Sequence, residues 1–280
     1  MNLAAELEQN QHVGVAPTAA LRCQRYRRRI LEMSQQVTAL HMASAFSCLE
    51  MVDVVYQRLL RPADVFLMSK GHGCLAQYVV LEDLGVLPRA DLDAFCTASG
   101  RLGTHPDIGP GIHASTGSLG HGLGIAAGMA YATKLQESGR MVYVMLSDGE
   151  LQEGSTWEAM MVAANLGLDN LVALVDLNDF QSLGRASELH PHLYPVAEKA
   201  RAFGWEAAVV DGHNPDAVCA AAVGRSGEQP FLLAGRTVKG KGVSFMENVP
   251  IWHYRSPSPQ EYTQAMAELG GNPFPENEGT

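Results

Sequence analysis

Asp148 and Asn178 are the residues whose type and spacing point most directly to chemistry. Asp148 comes just after an apolar run at 141–146 and Asn178 just after a second one at 171–175, with a helix-length segment between them. If the two runs are parallel strands of one sheet, both side chains emerge at the same carboxyl-terminal edge. A carboxylate, an amide oxygen, a nearby backbone carbonyl and phosphate oxygens there form a shell suited to a hard cation such as magnesium. Gly149 would let the backbone approach a phosphate closely enough to offer it an N–H. Asp-Gly and Asn-Asp pairs are also common turn formers, so spacing alone leaves a magnesium diphosphate site and ordinary loop chemistry both open.

Histidines supply the second candidate set. His72 lies in S-K-G-H-G at 69–73, His105 in G-T-H-P at 103–106, and His253 in I-W-H at 251–253, while His41 precedes an apolar helical segment. Taken singly, His72 and His105 can be turn caps beside Gly or Pro, and His41 a satisfied core residue. His113, His121, His190, His192 and His213 default to hydrogen bonding, surface packing or, for His113 and His121, secondary placement around the cleft. The glycines at 120, 122, 124 and 128 lack the preceding strand that a dinucleotide loop requires, and read instead as sites of close helix packing.

The elements that must position these groups follow from hydrophobic periodicity. Pro17 suits the first turn of a helix carrying Leu21, Ile30, Leu31 and Met33 toward the core, and a second helix covers 47–60. A short strand at 65–68 ends in the glycine-rich turn at 69–73, and a helix begins near Cys74. Helix 119–135, strand 141–146, helix 156–166 and strand 171–175 give the clearest alternation. Helix 196–203, strand 205–210, helix 216–223, strand 231–238 and a short helix at 259–269 complete it. The pattern predicts an α/β fold with a mainly parallel sheet covered by helices on both faces. Residues 1–16 read as an N-terminal extension, 17–269 as one domain, and 270–280 as a flexible tail.

Bulk properties narrow the class. The formal charge of −10 makes nucleic acid an unexpected partner, and the basic run at 25–29 reads as the polar face of a helix. Five scattered cysteines without a C-x-x-C pair argue against structural zinc and a secreted disulfide framework, and fit a reducing cytoplasm. Neither a signal-like N-terminus nor an uninterrupted apolar run of 18 residues occurs, so no membrane association is expected. No fixed-period repeat favours a solenoid.

S-D-G-E-L-Q-E-G at 147–154, continuing into D-L-N-D-F-Q at 176–181, resembles the thiamine diphosphate motif that begins G-D-G and ends with an asparagine pair about thirty residues later. S-K-G-H-G, G-T-H-P and S-T-G-S-L-G-H-G at 115–122 resemble segments of transketolases, as does K-G-K-G at 239–242 running into Ile251-Trp252-His253. The resemblance spans about residues 20–265. It implies a thiamine diphosphate-binding fold, with Asp148, Asn178 and the carbonyl of Phe180 as magnesium ligands. It also implies Gly117 and Leu119 beside the aminopyrimidine or thiazolium, Gly149 on phosphate, and His72 and His253 near diphosphate and donor. His41 and His105 would position sugar hydroxyls and assist proton transfer. Departures are Ser147 for Gly, Leu40 for the Gly before His41, Asp179 for Asn or Gly, and Tyr254 where Gly commonly follows Trp-His; they leave cofactor binding in place and put ordinary sugar-phosphate specificity in doubt.

In such enzymes the glutamate that activates the cofactor lies in a pyrimidine-binding domain, which this sequence is not expected to contain. Glu153 resembles a glutamate at the subunit boundary. The implied function is the N-terminal subunit of a split transketolase, working with a complementary C-terminal subunit in an α2β2 assembly on sugars or sugar phosphates. Leu119, Leu123 and Ile125 are candidates to be covered on assembly. Another thiamine diphosphate-dependent carboligase, such as a 1-deoxyxylulose-5-phosphate-synthase-like or specialised-metabolite enzyme, is an alternative. A non-catalytic regulatory or structural partner is another.

Overall fold

The computed structural model describes residues 17–182 and 184–270. The expected extension at 1–16 and the expected tail, apart from Gly270, lie outside the described residues. The core is a five-stranded, wholly parallel sheet built from β1 (Val65–Met68), β2 (Val142–Ser147), β3 (Leu171–Leu177), β6 (Glu206–Asp211) and β7 (Phe231–Arg236). Across the sheet the strands lie in the order β1-β2-β3-β7-β6. Every residue of β2 is buried, as expected of a strand whose side chains meet helices on both faces.

Alternate residues of the strands divide the core in two. Tyr143, Met145, Val172, Leu174 and Leu233 face one cluster, packed by helices α1 (Ala19–Ser34), α2 (Met42–Val54) and α3 (Cys74–Asp83). Val142, Val144, Leu146, Ala173 and Val175 face the other, which includes residues of α4 (Gly122–Leu135), α5 (Gly154–Asn165) and α6 (Val196–Ala202). Each large apolar side chain taken from water stabilises the fold by about 1.5–3 kcal/mol, so this two-sided burial drives the layering.

Helix α2 is buried on every side, and its polar residues are matched one by one. Asp53 takes a two-pronged ion pair from Arg22, Glu50 meets Arg27 and His213, and Ser47 hydrogen-bonds Asp176 of β3 at 2.6 Å. The helix starts at Met42, five residues before the expected Ser47, because His41 occupies its N-cap without a capping side-chain hydrogen bond and leaves no start signal in the sequence. Leu21 is 53% exposed and lies outside the core, unlike Ile30, Leu31 and Met33. Residues 119–121 precede α4 rather than opening it.

The loop after β3 holds an unforeseen antiparallel pair, β4 (Phe180–Gln181) with β5 (Gly184–Arg185). Downstream, α7 (Pro215–Val223) begins at the Asn214 cap, and α8 (Pro259–Glu268) at a capping box formed by Ser258 and Glu261. No helix of the described residues is long and apolar enough to cross a membrane.

Candidate active site

Ser147 and Asp176 are register partners at the ends of β2 and β3, so the segments that follow leave the sheet side by side. Asp148 is fully buried there. Its carboxylate accepts the N–H of Asp179 at 2.5 Å and that of Gly149 at 2.9 Å. The Gly149 N–H is thus engaged by Asp148 in this structure, while Gly149 itself lines the cleft. Asp179 holds a positive φ of 66°, which aims its N–H at Asp148. This costly backbone is secured by Ser187 and Arg185 on the Asp179 carboxylate. Burial, then the charge of Asp176, pushes the Asp148 carboxyl up to about 7.

Asp176 is the hub beneath this edge. It pairs with Lys70 from the turn after β1, both side chains being 0% exposed, and accepts hydrogen bonds from Ser47, Thr237 and Asn178 Nδ2. Burial opposes its charge, but Lys70 and the hydroxyl donors outweigh that and hold its carboxyl below the usual range. Anchoring Asn178 Nδ2 on Asp176 at 2.9 Å fixes the amide, whose oxygen accepts from Phe180 N at 3.0 Å.

Four histidines gather above this floor. The His41 ring lies 5.2 Å from His72, 5.0 Å from His253 and 6.5 Å from His105, centroid to centroid. Gly71 and Gly117 permit the approach of the two loops that bring in His72 and His105. A Cβ on Gly71 would lie 2.9 Å from the Gly117 backbone, and one on Gly117 would lie 3.0 Å from the His105 ring. Burial, followed by His105 and nearby lysines, lowers His41 to about 4; burial and Lys239 lower His253 to about 3, and His72 falls well below its ordinary value. His41, His72 and His253 are therefore neutral at pH 7. Lys239 Nζ donates to His253 Nδ1 at 2.8 Å, which places the His253 proton on Nε2.

The cleft is lined by these histidines with Gly117, Leu119, Gly149, Glu153, Phe180, Gln181 and neighbouring residues. Asp148 and Asn178 lie buried below its surface. The site residues expected from sequence thus converge on one edge of the sheet. His113 instead bonds the Phe66 carbonyl, and His213 bridges Glu50 and the Val238 N–H; both are structural. Leu123 is already 0% exposed in this chain, so it is not available to a partner, whereas Ile125 is 37% exposed. A Cβ on Gly124 or Gly128 would meet nothing within 4 Å in this chain, so these two glycines do not mark close packing within it.

Sequence reasoning passed over Lys70, Asp176 and Lys239 as individual residues. The available signal was a charge at the carboxyl end of each of two apolar runs: Lys70 after Val65–Met68 and Asp176 after the run at 171–175. Buried charges of opposite sign call for one another.

The oxygen donors fit a magnesium diphosphate. Asp148 is a buried carboxylate that accepts the backbone N–H groups of Gly149 and Asp179, and no cationic side chain of the described residues forms an ion pair with it. Among the described residues no cluster of three or more His, Cys, Asp or Glu could hold a metal, so a cation here depends on amide and carbonyl oxygens as well.

Residues 24–277 match the family model described as transketolase, thiamine diphosphate binding domain. The chain belongs to this transketolase family. It is 35% identical over 264 residues to an apulose-4-phosphate transketolase subunit of Phocaeicola vulgatus, covering 90% of this chain and 94% of the relative. It is also 35% identical over 242 residues to the 6-deoxy-6-sulfo-D-fructose transketolase subunit SqwG of a Clostridium species, covering 82% and 88% respectively. Among solved structures, transketolase from Leishmania mexicana shares the fold with a TM-score of 0.86 at 23% identity, over 94% of this chain and 43% of that one. The transketolase fold therefore extends over nearly all of this chain, which spans less than half of that solved relative.

Proposed function

We propose that the chain is the diphosphate-binding subunit of a split transketolase, which transfers a two-carbon ketol unit from a ketose to an aldose together with a pyrimidine-binding subunit. The observation that carries this reading is Asp148, a buried carboxylate in no ion pair with the described residues, set beside Asn178 and the Phe180 backbone at one sheet edge. Two relatives that match nearly their full length are named as transketolase subunits, which favours the same division of labour here. The reading carries with it one domain over residues 17–269, an α2β2 assembly and a cytoplasmic location.

In this reading Asp148, Asn178 and the Phe180 carbonyl hold magnesium, and the metal carries the cofactor's diphosphate. Bound thiamine diphosphate supplies the electron sink for carbon–carbon cleavage. The chain's own residues bind and orient. Neutral His41 and His72 can each donate and accept a hydrogen bond and His253 can donate from Nε2, which together with His105 suits sugar hydroxyls and proton movement among them. Gly117 and Leu119 support the cofactor's rings. Glu153, exposed at the cleft rim, faces the subunit boundary and the partner's activating group. The donor is a ketose, phosphorylated in the simplest case.

Calorimetric titration of thiamine diphosphate and magnesium into the assembled subunits tests the assignment. Asp148→Ala or Asn178→Ala should weaken cofactor affinity strongly. Unchanged affinity in folded variants would remove both residues from the metal site.

A further inference from the structure

Tyr254 follows His253 and packs against His41, two residues that line the cleft, and it lies outside the core. The residue is 53% exposed, and its ring centroid lies 4.5 Å from that of His41, closer than those of His72 and His253. Scattered exposed aromatics are ordinary on protein surfaces. This one is held in place by its neighbours. Trp252 is 2% exposed and packs 5.3 Å from Phe245. Arg255 lies 4.1 Å over the Trp252 ring, donates its backbone N–H to the Leu40 carbonyl at 3.0 Å and pairs with Glu261. Both flanks of Tyr254 are therefore fastened, one to the core and the other to the segment that carries His41. The exposed ring stands beside the His41 imidazole, and that pairing of an aromatic surface with a hydrogen-bonding edge matches a sugar chain, which has C–H faces and hydroxyl edges.

Resting on the reading of the site as a ketol-transfer cleft, we propose that Tyr254 is a specificity-determining platform against which the carbon chain of the ketose lies while His41 meets its hydroxyls. The aromatic ring carries the effect and the phenol hydroxyl does not. This assigns recognition of the polyol chain to this subunit, through uncharged groups.

The test compares the assembled enzyme with its Tyr254→Ala and Tyr254→Phe forms, using D-fructose 6-phosphate and D-xylulose 5-phosphate as probes. Three quantities are read: the Kd of each sugar by saturation-transfer NMR, KM and kcat in ketol transfer, and thiamine diphosphate affinity. Tyr254→Ala should raise Kd and KM by roughly 3- to 10-fold, the scale of one aromatic contact, with cofactor affinity unchanged and Tyr254→Phe close to the parent. Equal sugar Kd for parent and Tyr254→Ala overturns the platform. So does a parallel loss of cofactor affinity, which would mark a disturbed fold, or a defect confined to oligomer formation in light scattering. A parent that binds sugar but transfers no ketol unit contradicts the proposed reaction instead, and the Kd comparison still decides the role of Tyr254.

Discussion

Replacing Lys70 by Met removes the cation at the centre of the site's floor while nearly preserving its length. Lys70 and Asp176 are both 0% exposed, and Lys70 Nζ also donates to the Ser44 carbonyl at 2.8 Å. After the change Asp176 keeps its donors from Ser47, Thr237 and Asn178, so its hydrogen bonding survives and only its charge loses compensation. Removing one partner of a buried pair costs about 3–5 kcal/mol, a large share of the roughly 5–15 kcal/mol that holds a domain together. The effect reaches the site because Asp176 fixes the Asn178 amide and repels Asp148. A lone buried carboxylate sheds its charge by taking a proton, which weakens the anchor on Asn178 Nδ2. Urea unfolding of the parent, Lys70→Met, Asp176→Asn and the double variant measures this directly. The single changes should each cost several kcal/mol, and the double should recover on the order of 1–3 kcal/mol relative to their sum. A Lys70→Met protein within about 1 kcal/mol of the parent, or a strictly additive cycle, would refute the claim that this pair holds the floor together.

His105→Ala should slow donor turnover by about 10²- to 10⁴-fold, the range of a positioned acid or base, with thiamine diphosphate affinity little changed; equal steady-state kinetics at saturating cofactor would remove it from the substrate site. Stability should also fall on acidification through Glu50. Burial raises its carboxyl, but His213 and Arg27 outweigh that and hold it at about 2 against an ordinary value of 4.5. The unfolded chain therefore takes the proton first as pH drops, so the stability Glu50 contributes is complete above pH 4.5 and is lost as pH falls toward about 2. Denaturation midpoints between pH 6 and 2 for the parent and Glu50→Gln check this. The difference between them should shrink across that window, and a constant difference would contradict it.

Much of the fold was readable because its strands are buried on both faces and so appear as unbroken apolar runs. Met141 to Leu146 announced β2 to within a residue, and the run from Leu171 announced β3, which together placed Asp148 and Asn178 on one edge. Helix α2 was harder. Its apolar spacing suggested one buried face, but it is enclosed on all sides, and the charges that make this possible are answered from distant segments: Arg22, Arg27 and His213 lie on other elements. The same non-locality hid the Lys70–Asp176 pair, whose members stand 106 positions apart. The left-handed turn at Asp179 was only hinted at, by an Asn-Asp pair of the kind common in turns. No glycine marks it, and its conformation is secured by Arg185 and Ser187, which follow several residues later. Tyr254 could be noted in the sequence only as a departure from a resembling motif. Its position against His41 depends on the backbone bond from Arg255 to Leu40, a tertiary contact without a local signature.

The central claim is that this chain supplies half of an active site, with the diphosphate end built here and cofactor activation supplied by a second subunit. The most direct measurement combines light scattering with a coupled ketol-transfer assay on the purified chain, its purified pyrimidine-binding partner and their mixture. Only the mixture, supplied with thiamine diphosphate and magnesium, should form a larger assembly and turn over the ketose. Full cofactor-dependent turnover by the rigorously purified single chain would contradict the division of the site between two subunits.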